Sequence, residues 1–401
     1  MSGFIQSLNS SDDPTSDDAV SIVIGDQNIS GWGTVAITRS VESFPNSFML
    51  TAADQYPYSA DQATTFPGGP GQKCQVFIGS DLVVTGYVDR YGVNVAPGRH
   101  EITIIGRGLC EDLVDCSADL LSPQIVGGTI TASNTLDLAQ KLCKSFNITA
   151  RSAVSDLGKP LLPFTVALGE TSYEIIERVA RYTSFLVYED EKGQLVLDRV
   201  GTKKMASGFK MPGNIEAASS TLSIDQRFSR YTVVMTTVNQ YAELSPLANN
   251  RADVTDKTMP RYRPRIIVSE QVDPSYDIAK ARAEWELARR IGRSQAIQLT
   301  CDSWRDSDGK LWQPNYLAPV DGAALKITDK EWIIGTVTYR KDGSGTHADV
   351  TLMPPDAFKP EPAPLYLWDY EIMQAAQKSQ SPAPASTTAT STTPGGLLGH
   401  V

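Results

Sequence analysis

The side chains that most often carry chemistry are few in this chain and poorly grouped. Among 401 residues there are three histidines and five cysteines. His100 and His347 each open an alternating stretch, where a structural role is expected, and His400 falls in a low-complexity tail. Cys74, Cys110, Cys116, Cys143 and Cys301 are scattered, and Cys110-x5-Cys116 is not a zinc spacing. They read as buried free thiols of a reducing compartment. The nucleophile elbow GxSxG, the zinc motif HExxH and a Walker-type phosphate loop are all absent from the sequence. Residues 302–309, DSWRDSDG, resemble a calcium loop only superficially, since the acids miss the 1, 3, 5 pattern and the late glutamate is lacking. Arg261-Tyr262-Arg263-Pro264-Arg265 interleaves cations with an aromatic, a pattern that could meet nucleic acid but also suits a solvated loop or a subunit contact. Gly68-Gly69 and Gly127-Gly128 read as turns, with no helix placed to hold phosphate. No catalytic, cofactor-binding or metal-binding residue is expected, and no enzyme.

Charge points the same way. The formal net charge is -10. Nucleic-acid affinity rests on Lys and Arg neutralising phosphates, so an acidic chain is a poor binder but a suitable wall for nucleic acid in transit. No apolar run reaches membrane-spanning length. Met1–Asp18 carries four aspartates and no basic residue, unlike a secretory signal, and reads as a disordered lead.

The elements that would position any site are mostly short strands. Val20–Ile24, Thr34–Thr38, Ser47–Thr51, Cys74–Ile78, Leu82–Tyr91 and Glu101–Gly106 alternate in hydropathy and are bounded by turn residues. Helices are expected over Ser133–Phe146, with Leu138, Leu142 and Cys143 inward, and over Gly169–Phe185. The second has a Thr171/Glu174 capping box and an Ile175, Ile176, Val179, Tyr182 stripe, and a hairpin turning at Gly193 follows it. Strands return at Ile215–Ile224 and Arg230–Val238, and Tyr241–Pro264 reads as irregular. A helix over 275–291 presents Ile278, Ala281, Trp285 and Ala288 on one face. Strands then run from Ser294 to about Met353.

An internal repeat is the most informative feature. Ser47–Thr51 matches Ala296–Thr300 at a separation of 249 residues, and the same separation lays Leu82–Val88 on Glu331–Val337. A slightly shorter spacing brings His100–Ile104 to His347–Leu352, and Gln72–Val76 takes the place of Tyr316–Val320. Gly86 and Gly335 then mark a shared bulge or bend.

Several of these stretches resemble the baseplate hub proteins of Mu-like contractile phages. The likeness covers about Ala19–Pro355. It is most specific at Gly86-Tyr87-Val88-Asp89, at Gly106-Arg107-Gly108 and at Asp112 to Ser117. These are structural positions rather than a reaction motif. The resemblance implies a mainly β fold with an α+β insert, built as two tail-tube-like antiparallel β-barrels plus a small α+β domain. The expected organisation is a disordered lead (1–18), a first barrel (19–108) and an α+β domain (109–205). A second barrel carrying the 275–291 helix (206–358) and an extension (359–401), disordered from about 377, complete it. The implied role is a homotrimer that joins the six-fold tail tube to the three-fold spike. It would contact other baseplate proteins and surround passing DNA without binding it. Its place would be the virion baseplate, after assembly in the host cytoplasm. A wall-binding or wall-degrading tail protein, or the hub of a related injection device, are the alternatives.

Overall fold

Alternation with period two puts every second side chain of a strand on one face, and both halves of the chain use it. The computed structural model describes residues 16–53, 69–155, 157, 161, 163–236, 251–270, 276–327 and 331–361. The first β unit contains β1 (Val20–Ile24), β2 (Gln27–Ser30), β3 (Thr34–Ser40), β4 (Ser47–Ala53), β5 (Lys73–Ile78), β6 (Asp81–Ala96) and β7 (Arg99–Gly108). They pair antiparallel in the order β3-β4-β7-β6-β5-β1-β2. Val35 and Ile37 on β3, and Ile102 and Ile104 on β7, are buried while the residues between them are less so. The lead expected to be disordered through Asp18 is anchored at its end: Arg305 donates to the Asp17 carbonyl (2.7 Å) and lies 3.5 Å from the Asp18 carboxylate. Residues 1–15 and 362–401, where the rest of the lead and the tail were expected, lie outside the described residues.

The α+β block holds α1 (Glu111–Asp115), β8 (Ile125–Val126), β9 (Thr129–Ile130), α2 (Thr135–Cys143), β10 (Ala150–Ser152), β11 (Phe164–Thr165), α3 (Ser172–Thr183), β12 (Leu186–Glu189) and β13 (Leu195–Asp198). Asn134 caps α2 by accepting the Asp137 N–H, and the Thr171/Glu174 capping box starts α3 as expected. Leu138, Leu142, Cys143, Ile175, Ile176 and Val179 close a core separate from that of the main sheet. Tyr182 only flanks it.

The second β unit comprises β14 (Lys203–Lys204) and β15 (Ile215–Leu222). After an excursion through β16 (Arg230–Thr236), β17 (Arg251–Thr255), β18 (Pro264–Glu270) and α4 (Tyr276–Arg293), it continues with β19 (Gln295–Cys301), β20 (Tyr316–Pro319), β21 (Glu331–Asp342) and β22 (Gly345–Met353). Its strands run β15-β19-β22-β21, and β21 then pairs with β3. The two units, expected as barrels, thus join edge to edge in one sheet of 13 strands. One apolar core, with Trp32, Trp304, Trp312 and Trp332 fully buried, spans both. Burying each such side chain contributes on the order of 2–3 kcal/mol.

Two expectations about the excursion need correction. Arg251–Thr255, inside the stretch read as irregular, is a strand, and β17-β16-β18 form a sheet of their own rather than part of the second unit. Tyr241–Asn250 lies outside the described residues. On α4 the buried face is Ala279 and Ala283, packed with Val233 and Ala252, while Ala281 is exposed and Ala288 and Trp285 are half-buried. Small residues let the helix lie close on the sheet. The Trp285 side instead receives the segment that follows β22, the indole N–H donating to the Lys359 carbonyl at 2.8 Å and Arg289 to Ala357 and Lys359.

The strand registers make the repeat explicit and shift part of it. Phe48 faces Gly106 as Ile297 faces Leu352, which keeps the separation of 249 for β4 and β19. The same pairs set β7 against β22 at 246. β6 and β21 follow at 246, because Asp89 bulges between Val88 and Arg90 where Gly335 bulges between Ile334 and Thr336. Gly86 is therefore not the bulge. It pairs with Cys74 and Gly108, and a Cβ there would lie 1.8 Å from the Arg107 carbonyl oxygen. His347 corresponds to Glu101 rather than to His100. The match of β5 with β20 holds: Gly71 donates to the Val88 carbonyl and Asn315 to that of Ile334, both from positive φ.

Candidate functional site

Three joints hold the pieces together, and two of them contain buried ionisable groups. The first is the seam between β3 and β21. Thr38 and Thr338 hydroxyls meet at 2.9 Å, and Ser40 meets Thr336 at 2.8 Å. Arg39 follows Val35 and Ile37 on the inward face. Its guanidinium donates to Gln313 (2.9 Å) and to Glu191 (3.4 Å) of the α+β hairpin, so one buried cation ties three parts of the chain. No periodicity marks this link; the only sequence signal is an arginine at an inward strand position.

The second joint connects the first unit to the α+β block, and it occupies the residues that carry the family resemblance. Arg107 donates to Asp89 at 2.7 Å and to both oxygens of Asp115, and it lies 3.2 Å from Glu111. The Asp115 bond chiefly raises the guanidinium pKa and lowers that of Asp115. Burial, reinforced by Asp89, pushes the Glu111 carboxyl up to about 8. Behind it, Glu189 is 2% exposed and accepts the backbone N–H groups of Asn46 and Cys110, each at 2.9 Å. Burial raises its carboxyl to about 7 despite those two bonds. The flanking glycines are there for space. A Cβ on Gly108 would sit 1.9 Å from the Glu189 carboxylate, and one on Gly106 would strike the Phe48 ring at 2.4 Å.

The third joint receives the end of the second unit. Phe358, in the turn Pro355–Phe358, packs in a cluster with Val41, Ile333 and Met353. A Cβ on Gly335 would stand 2.6 Å from its ring, so the bulge glycine forms the floor of that socket.

The residues singled out for possible chemistry serve structure as well. Asp306 of the DSWRDSDG loop is buried and accepts N–H groups from Asp308, Lys310 and Ala206. Trp304 donates to the His347 carbonyl, and Arg305 reaches Asp81 of the first unit. Arg263 and Arg265 of the basic cluster stack on Phe228, as does Arg290. His347 contacts Glu216 at 2.7 Å and Ser344 at 3.0 Å. All five thiols are free; four are buried, but Cys116 is exposed, contrary to expectation. Burial drives the Cys74 and Cys143 thiols up to about 12 and Cys301 to about 11, far from the thiolate form. Among the described residues no cluster of three or more His, Cys, Asp or Glu is placed to hold a metal, and no helix is long and apolar enough to cross a membrane.

A β unit used twice, fused through one sheet and tied to the α+β block by the Arg107 ion-pair network and the buried Glu189, is the arrangement of a structural scaffold. Comparison with known proteins makes the assignment specific. The model for the N-terminal domain of Mu phage baseplate assembly protein GpP-like proteins matches residues 19–108. That for the second domain of baseplate hub protein gp44-like proteins matches 110–199, and that for the fourth domain of GpP matches 275–361. Baseplate hub protein gp44 of Escherichia phage Mu is 30% identical over 338 residues, which is 82% of this chain and 86% of that protein. The 43 kDa tail protein of prophage MuSo2 from Shewanella oneidensis is 31% identical, with a TM-score of 0.75 over 85% of this chain and 99% of that one. A tail protein from Neisseria meningitidis MC58, 22% identical, shares the fold with a TM-score of 0.69 over 86% and 99%. The chain belongs to the family of Mu-like phage baseplate hub proteins, and its place is the tail baseplate of the virion.

Proposed function

We propose that this hub is a homotrimeric adapter joining a six-fold tail tube to a three-fold central spike, and that its centre forms part of the DNA passage. The observation that carries the reading is the pair of matched β units in one continuous sheet. Three copies would present six near-equal surfaces to a six-fold partner while keeping three-fold symmetry toward the spike. The polar sheet face lined by Ser219, Gln298, Thr300, Thr336, Thr338 and Thr351 offers hydroxyl and amide groups rather than cations. Together with the net charge of -10, that favours a wall that does not retain passing DNA. Other baseplate proteins would dock around the ring, and four buried free thiols suit assembly in a reducing host cytoplasm. The test is the solution mass by light scattering, with particle class averages. A mass of three times 43.5 kDa with six-lobed rings is expected. A stable monomer at high concentration would overturn the reading.

A further inference from the structure

The seam inside the chain has a counterpart at the chain's two sheet edges. Thr34 faces Thr51 as Ala217 faces Thr300, so Val35–Ser40 of β3 correspond to Ala218–Ser223 at β15. Thr336–Lys341 of β21 correspond to Arg90–Val95 of β6 through the shared bulge. Within the chain, β3 and β21 pair with each other. Among the described residues, β15 pairs only with β19, and the Gly92–Ala96 part of β6 only with β7.

On the core face of the internal seam, Tyr339 lies opposite Ile37 and Val337 opposite Arg39, all buried, and Lys341 lies opposite Val35. The matching pairs would be Tyr91 with Leu222, Val93 with Ser220 and Val95 with Ala218, so a serine stands where the seam has Ile37 but three apolar side chains are uncovered: Val93 is 46% exposed, Val95 59% and Leu222 75%. On the other face, Thr338 with Thr38 and Arg340 with Ala36 correspond to Gly92 with Thr221 and Asn94 with Ser219, which are small or polar. Exposed edges are usually protected by lysine, proline or inward charge. Ala217–Leu222 and Gly92–Ala96 contain none of these.

We propose that β15 of one copy pairs antiparallel with the second half of β6 of another copy, in the register of the internal seam, Gly92 opposite Thr221 and Asn94 opposite Ser219. The contact is head to tail, so each copy offers one edge and accepts at the other until the ring closes. This names the seam of the trimer and rests on that reading for the number of copies.

Cysteine pairs test the register. The Val41 N–H to Gly335 carbonyl bond sets the alternation, which makes Thr338–Thr38 and Arg340–Ala36 non-hydrogen-bonded pairs. Their counterpart, Asn94→Cys with Ser219→Cys, would hold Cα atoms about 4.5 Å apart, within disulfide reach. In a Cys116→Ser background, mild oxidation should give covalent dimers and trimers. Asn94→Cys with Thr221→Cys, displaced by two residues to about 7–8 Å, should stay unlinked. Val93→Pro supplies a second readout. By the same alternation the Val93 N–H points away from β7, so the proline removes a seam donor and leaves the β6–β7 ladder whole. It should yield a folded monomer with an unchanged circular dichroism spectrum. A trimeric mass in which the displaced pair links, neither pair links, or Val93→Pro stays trimeric would overturn this seam while the ring reading stands. A monomeric wild type with no cross-link would overturn both.

Discussion

The two β units carry the same backbone irregularity at the same place and use it in opposite ways. Between its last two long strands each inserts one extra residue, Asp89 in the first and Gly335 in the second. Asp89 sends a carboxylate to Arg107, and through it to Glu111 and Asp115 at the start of the α+β block. Gly335 has no side chain and makes room for the Phe358 ring. The strands end differently too, Gly108 of β7 corresponding to Pro354 after β22; each is followed by a short helical turn. The bulge belongs to the unit, because the ladder demands it wherever these strands pair. The residue placed there answers to what docks against it, an ion network in one copy and an aromatic ring in the other.

The largest expected effect breaks the apolar socket. Phe358→Ala empties a site that is 2% exposed and should cost about 3–5 kcal/mol, read from the denaturant midpoint. A loss under about 1 kcal/mol would mean that Phe358 is not what the Gly335 bulge accommodates. The polar joint comes next. Gly108→Ala drives a methyl into the Glu189 carboxylate and should cost about 1–3 kcal/mol. A wild-type midpoint for that variant would show that Glu189 is free to move aside, and the contrast with Pro354 would lose its meaning.

The third effect is one of pH and separates the two joints by charge. Glu189, raised to about 7 by burial, and Glu111, raised to about 8, bind protons in the folded state that the unfolded chain releases near the ordinary carboxyl value of 4.5. Their contribution is complete below that value and is lost as pH rises through 7 to 8. Asp115, held low by Arg107, and Asp137, held low by the Ser133 N–H, act in the opposite sense and lose their contribution in more acid solution. The thermal midpoint should therefore be highest near pH 5 and fall toward pH 8. Each raised carboxyl adds a slope of at most about 1.4 kcal/mol per pH unit. Glu189→Gln should flatten that fall, and it should also lower stability at pH 5, because an amide offers one acceptor where the Asn46 and Cys110 N–H groups need two. An unchanged slope would remove Glu189 from the account.

Much of the fold was legible in the residues. The capping box at Thr171 and the Asn134 cap mark helix starts because local hydrogen bonds decide them. The duplicated unit shows because β4 and β19 share an inward pattern, Phe48-x-Leu50 and Ile297-x-Leu299. Matching Gly86 to Gly335 by residue type misplaced part of the repeat by three residues. One glycine is required by the Arg107 carbonyl and the other by Phe358, and neither neighbour is local in sequence. The face of α4 was misread for a related reason: large apolar residues dominate a periodicity, whereas a close helix-to-sheet contact selects alanine.

What the sequence determined by itself was therefore local or repetitive: the strand alternation, the helix caps, the presence of two similar β units and the acidic balance. Which edges join was decided only by the tertiary structure. A strand's period of two fixes which side chains share a face but says nothing of which partner lies across the ladder. The link from Arg39 to Gln313 and Glu191, and the cage around Glu189, join groups 79 to 274 residues apart. Their energies exist only once burial has removed the water that would otherwise satisfy each group.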